Sequence, residues 1–362
     1  MSRRILFIEP YYGGSHKSWF EQLQHYSEHS YKSLTLPGKH WKWRMHSSGS
    51  IFSDQVNKLN SEDFDLILCS EFLSINRFRG ELKGAWRDIP IICYFHENQI
   101  LYPWSQHDKE SAYERNLIYV YHNLENLRAA DKLVFNSNFH LNSLLEELPK
   151  VLKGFPSPKP VFDLEGIKQK STVLPPGIED EIILSSERSK QSPPLILWNH
   201  RWDEDKNPKE FFRLIQKLRE SSFDFRLALL GNYSNSPYKE TIERLPQELI
   251  AYAGFQSRED YKKILNEAAI TPITSHHDFF GISAVESILT GSLVIPPNRM
   301  AYHEHFEKSE YDKLTFNHND ELVERVLNYQ NYSIVKSQDY CQRYLWSRLI
   351  KDYDQFFKQA SE

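Results

Sequence analysis

The chain has 362 residues and 42.9 kDa, enough for two domains of ordinary size with cores of their own. Hydrophobic residues at 40 % and charged residues at 26 % exclude a disordered or fibrous chain. A formal charge of −5 excludes a protein that coats nucleic acid or acidic membrane through a broad cationic surface, although a local basic patch is still allowed.

From the N-terminus, Ile5–Ile8 is an apolar run that meets Glu9 too soon for a signal sequence, and no later run approaches the roughly 18 apolar residues of a membrane span. Ile5–Ile8, Leu66–Cys69, Ile89–Phe95 and Leu133–Phe135 predict strands buried on both faces, and amphipathic stretches over 18–26, 110–130 and 139–152 predict helices between them. This βαβα series implies an α/β fold, a doubly wound parallel sheet, over residues 1–176. The series breaks where prolines cluster and the polar segment 185–191 follows, so 177–193 reads as a linker. A second series occupies 194–339, with strands over 195–198, 225–230, 251–253, 270–273 and 293–295 and helices over 208–220, 258–269 and 282–290. The aromatic, amphipathic tail 340–362 is expected to form a helix that packs back on the first domain. Two Rossmann-like sheets are expected to face a cleft along their carboxyl edges, where such sheets bind ligands. Cys69, Cys93 and Cys341 are far apart with no C-x-x-C spacing, so neither a disulfide framework nor a thiolate zinc site is expected, and the default compartment is the cytoplasm.

Most of the unusual residue clusters fall in loops after strands. Gly13 and Gly14, followed by Ser15 and His16, let backbone amides approach a ligand, with Ser15 as the helix cap. Alone the dipeptide reads equally as a strand-to-helix turn, and it is not the G-x-G-x-x-G fingerprint. Lys39, Trp41, Lys42, Trp43 and Arg44 interleave cations with indoles, a mixture that stacks on bases while pairing with phosphates and that also suits a solvated basic turn. His96, Glu97, Asn98 and Gln99 close an apolar strand, an expensive place for polar groups unless they face a site; His96 is the candidate to touch substrate. His96 and His122 have no metal-ligand spacing, and no H-E-x-x-H is present.

In the second half, Arg201 and Lys206 place a forked donor and a point charge beside a helix N-terminus, an arrangement suited to a diphosphate. Asp203-Glu204-Asp205 resembles a metal-binding D-x-D but reads better as charges favoured by the dipole of the following helix. Asp278 and Glu286 lie eight positions apart across a helix starting near Phe280 or Gly281, so they share a face. The amides near Gly281 and Ile282 suit phosphate oxygens. Glu286, inside an apolar run, calls for a partner, either a ribose hydroxyl pair or a salt bridge.

Arg201-x4-Lys206 with Asp278-x7-Glu286 resembles the retaining GT-B glycosyltransferases of family four. More narrowly, Tyr12–His16, Leu36–Arg44, Tyr94–Gln99 with Tyr102-Pro103, Val134–Ser137, His200–Lys206 and Phe279–Gly281 resemble the tRNA-queuosine α-mannosyltransferase family. The resemblance implies transfer of mannose from GDP-mannose to queuosine in a tRNA anticodon, with no metal or other cofactor. It implies catalytic roles for His96, Asp278, Arg201 and Lys206. Donor contacts would come from Gly13, Gly14, Arg201, Lys206, Phe280, Gly281, Ile282 and Glu286. Acceptor contacts would come from His16, Lys39, Trp41, Lys42, Trp43, Arg44, Glu97 and Asn98. The expected partners are a nucleotide sugar and queuosine-containing tRNA, with no membrane and no protein partner. This chain has Asp278 where the family motif begins with Glu, one methylene shorter, and lacks a long insertion that some relatives carry. Two alternatives stand beside this reading: a family-four transferase with a lipid or polysaccharide acceptor, and a tRNA-binding protein without catalysis.

Overall fold

The computed structural model describes residues 1–103, 113–184 and 192–362. The start of the helix expected from 110 and the polar segment 185–191 lie outside the described residues. The chain forms two compact units, one of Met1–Gly177 with Trp346–Glu362, the other of Ile178–Leu345.

In the first unit, β1 (Arg4–Tyr12), α1 (Gly14–Tyr26), β2 (Ser30–Pro37), α2 (Trp41–Val56), β3 (Leu66–Ser70), α3 (Ile75–Glu81), β4 (Ile91–Phe95), α4 (Tyr113–Ala129), β5 (Lys132–Phe135), α5 (Asn138–Gly154), α6 (Leu164–Gln169) and β6 (Ser171–Val173) follow in order. The sheet is parallel throughout, in the order β2-β1-β3-β4-β5-β6. The run Ile5–Ile8 shows why β1 is central: its side chains are all fully buried, with Leu6 and Ile8 joining Phe52 and Phe78 on one face and Ile5 and Phe7 joining Trp19 and Phe20 on the other.

Two local expectations are corrected. Gly13, in an extended conformation, is the residue that precedes α1, no side chain caps this helix, and Ser15 lies inside its first turn. The basic-aromatic segment is not a turn: Trp41–His46 opens α2, because Met45, Ser48, Phe52 and Val56 share one buried helical face. Gly49 lets α3 approach, since a Cβ there would lie 2.8 Å from the Ser74 carbonyl oxygen.

The second unit contains β7 (Leu195–Trp198), α7 (Pro208–Glu220), β8 (Arg226–Leu230), α8 (Lys239–Glu243), β9 (Ile250–Gly254), α9 (Arg258–Glu267), β10 (Ile270–Pro272), α10 (Ile282–Leu289), β11 (Leu293–Ile295), α11 (Lys308–Leu314), α12 (Asn319–Leu327) and α13 (Val335–Cys341). Its parallel sheet runs β11-β10-β7-β8-β9. The last helix, α14 (Trp346–Ala360), belongs to the first unit, where Trp346, Tyr353 and Phe357 bury against Trp19 and Phe7 and the Trp19 indole N–H donates to Tyr353 Oη at 3.2 Å. No described helix is long and apolar enough to cross a membrane.

The strand orders locate the ligand edges. In the first sheet the chain leaves β1 toward β2 on one side and returns to β3 on the other; in the second, β7 is flanked by β8 and β10 in the same way. Such switch points open a crevice beyond the strands' carboxyl ends.

Candidate functional site

Beyond β7 and β10, five charged side chains converge. The Lys206 ammonium is buried and lies 2.7 Å from an Asp278 oxygen and 3.0 Å from Asp205, and it also donates to the His277 carbonyl. Burial raises the Asp278 pKa, but the charges of Lys206 and His200, with hydrogen bonds from Lys206 and Tyr302, outweigh it and hold the carboxyl at about 2. The Tyr302 hydroxyl donates to the other Asp278 oxygen at 2.5 Å. Arg201 is exposed and lies 3.0 Å from Asp203 and 3.6 Å from Asp205.

Gly281 precedes α10 with φ at +88°, and a Cβ there would press within 2.9 Å of the Tyr302 ring, so this position requires glycine. Behind Arg258 and Tyr261, Glu286 is nearly buried, accepting from Arg258 at 3.0 Å and from the Tyr261 hydroxyl at 2.5 Å. Beside these groups lies a cavity of about 770 Å³ lined by Asn199, His200, Arg201, Phe255, Arg258 and Tyr261, among others. The Phe255 ring is 84 % exposed, an apolar face with nothing packed over most of it. His200 Nδ1 meets the Ser283 hydroxyl at 3.0 Å, while its Nε2 is buried without a partner among the described residues; burial lowers this imidazole to about 4, so it is neutral at pH 7.

Beyond β1 and β3 a second cluster forms. Glu9 is fully buried and accepts from the Tyr11 amide at 2.8 Å, from the Ser70 hydroxyl at 2.8 Å and from His16 Nδ1 at 3.0 Å. Glu71 takes two successive amides of the next loop, His96 at 3.2 Å and Glu97 at 3.0 Å, while Asn136 donates to the His96 carbonyl at 2.8 Å. The His96 peptide is thus pinned on both sides. The His96 ring lies against His16 with centroids 3.9 Å apart and planes tilted by 32°, and its Nε2 is buried with no partner among the described residues. Glu9, His16 and His96 offer three donor atoms within 4.8 Å of one another. Within this group Glu9 and His16 are already joined by a hydrogen bond at 3.0 Å.

The structure therefore brings Arg201, Lys206, Asp278, Phe280, Gly281 and Ile282 to one switch point and His16, His96, Glu97 and Asn98 to the other, with Gly13 and Gly14 entering α1 beside the latter. Asp203 and Asp205 are corrected: they are counter-ions of Arg201 and Lys206, and the first-turn acid of α7 is Glu210. Lys206 is shared between two carboxylates rather than presented as a free point charge. Asp278 and Glu286 have separate partners, Lys206 and Tyr302 for one, Arg258 and Tyr261 for the other. The basic-aromatic segment divides: Trp41 packs on Tyr119 and Phe72, whereas Trp43 is 63 % exposed. Sequence reasoning missed Glu9, Glu71, Arg258, Tyr261 and Tyr302. A carboxylate that ends an apolar run, within β1 for Glu9 and just after β3 for Glu71, was the available signal for the first two.

Comparison with known proteins agrees with this architecture. The N-terminal family of tRNA-queuosine alpha-mannosyltransferases matches residues 4–178, and glycosyl transferases group 1 matches residues 179–341. The tRNA-queuosine alpha-mannosyltransferase of Drosophila melanogaster is 30 % identical over 341 residues, 90 % of this chain and 86 % of that protein. Among solved structures, Anabaena HepE in complex with UDP aligns with a TM-score of 0.68 at 13 % identity, covering 98 % of this chain and 100 % of that one. The sucrose-phosphate synthase of Thermosynechococcus elongatus aligns with a TM-score of 0.71 at 13 % identity, covering 99 % and 98 %. At that identity the two structures speak for the fold, which is GT-B, while the sequence relatives speak for the activity. The chain is a glycosyltransferase and belongs to the tRNA-queuosine alpha-mannosyltransferase family.

Proposed function

We propose that this enzyme moves mannose from GDP-mannose to the queuosine nucleoside of a tRNA anticodon, with retention of configuration and without a metal. The observation that carries the reading is the second switch point, where Arg201 lines a cavity of about 770 Å³, shares Asp205 with the buried Lys206, and has as its neighbour His200, which meets Ser283 in the first turn of α10. In this reading the cavity takes the nucleotide, with the base against Phe255 and the ribose toward Glu286 and its partners.

The diphosphate meets the α10 amino end and Arg201. The Arg201–Asp203 pair is solvent-exposed, and such pairs contribute only about 0–1 kcal/mol, so the guanidinium exchanges Asp203 for a phosphate at little cost. Lys206 stays buried, where it fixes Asp278 as a carboxylate that orients the sugar hydroxyls. As the glycosidic bond breaks, negative charge grows on the leaving phosphate. Positioned donors stabilise it, and removing one such donor typically costs about 10²–10³ in rate. The leaving phosphate takes the acceptor proton. His96 contacts the sugar, His16, Glu97 and Asn98 lie toward the acceptor, and Lys39, Lys42, Trp43 and Arg44 hold tRNA, with Trp41 as their packed base. We assign the reaction to the cytoplasm, consistent with three cysteines that are all free and buried.

The test is to incubate the purified protein with GDP-mannose and with tRNA that contains or lacks queuosine, then weigh the nucleosides by mass spectrometry. A hexose added only to queuosine is the expected result. Transfer to liposome-bound acceptors instead, or tRNA binding with no transfer, would reject the reading.

A further inference from the structure

The first switch point holds two imidazoles in ring contact, and the structure treats them differently. His16 Nδ1 is bonded at 3.0 Å to a Glu9 carboxylate that is fully buried and has both oxygens occupied. His96 has no acid bonded to its ring among the described residues, and its Nε2 is buried and unpartnered. His16 sits in the first turn of α1, where the helix dipole disfavours a cation, so a charged ring there depends on Glu9.

We propose that Glu9 is a positioning residue that keeps His16 an imidazolium, and that this fixed cation, in ring contact with His96, keeps His96 neutral and able to hydrogen-bond a sugar hydroxyl. The inference rests on the proposed contact between His96 and the transferred sugar. A neutral ring suits that place, because a second imidazolium would repel the positive charge that develops on the sugar as its bond to phosphate breaks.

The electrostatics agree in direction. Burial lowers the His16 pKa, but the charge and hydrogen bond of Glu9, with Glu71 and Glu97 behind, outweigh it and raise the group to about 9. His96 is driven well below the usual 6.5, first by burial and then by the His16 and His140 rings. The titratable groups facing the pair are Glu9 and Tyr11 of β1, Glu71 after β3, Glu97 after β4 and His140 of α5; Trp19, Phe72 and Tyr94 supply the remaining ring contacts. Of these, Glu71 is pushed up to about 8, chiefly by burial. Paired groups whose surroundings push their protonation apart are a recurrent sign of divided roles.

Glu9→Gln separates charge from packing. The amide oxygen keeps the Tyr11 and Ser70 bonds, and the amide nitrogen then faces His16 Nδ1, which accepts only as a neutral ring. Packing and hydrogen bonds persist while the cation is lost. Histidine ¹⁵N spectra of the whole wild-type protein at pH 7, assigned by the signal lost in His16→Asn and in His96→Asn, should show His16 charged and His96 neutral. In Glu9→Gln, His16 should become neutral and the acid limb of the sugar-transfer rate should move to higher pH. On the acid limb, below its midpoint, a shift of half a unit lowers the rate at a fixed pH roughly threefold. A neutral His16 or a charged His96 in the wild type would overturn the proposal, as would a folded Glu9→Gln variant whose pH profile coincides with the wild type. The spectra need no turnover, so failure of the proposed reaction and failure of this inference are told apart.

Discussion

The switch point of the first sheet gathers Glu9, Glu71 and Glu97 around His16 and His96, whereas that of the second sets Arg201 and Lys206 among Asp203, Asp205 and Asp278. In the first, the Glu9 and Glu71 carboxylates are buried and committed to backbone or imidazole donors, which makes the cluster a rigid mount. In the second, exposure is graded: the Lys206 side chain is 11 % exposed and the Arg201 side chain 65 %. Depth decides the use. A buried cation has to keep its carboxylates, because stripping them leaves uncompensated charge, while an exposed one trades partners with water and ligands at small cost.

The largest effect expected from this contrast comes from Lys206→Met. It strands Asp205 and Asp278, costs about 3–5 kcal/mol in a denaturant melt and abolishes transfer. Arg201→Ala should instead leave stability within about 0.5 kcal/mol and lower the turnover rate by about 10²–10³. Equal stability losses in the two variants would erase the distinction between mount and grip.

Asp278 sharpens the same point through pH. Its folded-state value is held at about 2 against an ordinary 3.8, so its share of stability, roughly 2 kcal/mol, is full above 3.8 and lost as pH falls through 2. Acid melts of the wild type and Asp278→Asn should converge across that window. His16 runs the other way: its share is full below 6.5 and lost as pH rises through about 9, which melts of wild type and Glu9→Gln from pH 6 to 10 would show.

Glycines give a smaller contrast. Gly281→Ala meets both a positive φ and the Tyr302 ring and should cost about 1–3 kcal/mol, displacing Tyr302 from Asp278. Gly14→Ala has a φ of +53° with open space around it and should cost about 1 kcal/mol. The smallest effect on folding belongs to Trp43→Ala, which should leave the melt within about 0.5 kcal/mol and weaken tRNA binding by about 1–3 kcal/mol, read by filter binding over a salt series.

The strands were legible because runs such as Ile5–Ile8 and Leu195–Trp198 are apolar without interruption, a pattern that only a sheet covered on both faces explains in so few residues. The first turns of α2 are not legible as a helix although Met45, Phe52 and Val56 fall on one helical face, because Lys39, Lys42 and Arg44, interleaved with Trp41 and Trp43, lie ahead of that face and suit a solvated turn equally. Within the site, His96, Arg201, Lys206 and Asp278 stood out as polar residues in loops after strands. Glu9 and Glu71 did not, since what distinguishes them is their donors: Ser70 lies 61 residues from Glu9, and His96 lies 25 from Glu71. Such pairings exist only once the sheet has formed. The aspartates around Lys206 were hidden for a different reason, because an acid before a helix has a sufficient local explanation in the dipole and nothing in the sequence reveals that a lysine claims it first.

The return of α14 to the first unit has a consequence for biosynthesis. During translation every residue of the second unit leaves the ribosome before Trp346 does, so that unit can finish folding while its predecessor still lacks the helix that covers Trp19 and Phe7. The segment made first is completed last, and a nascent chain stalled short of Trp346 would display an uncovered apolar face to chaperones.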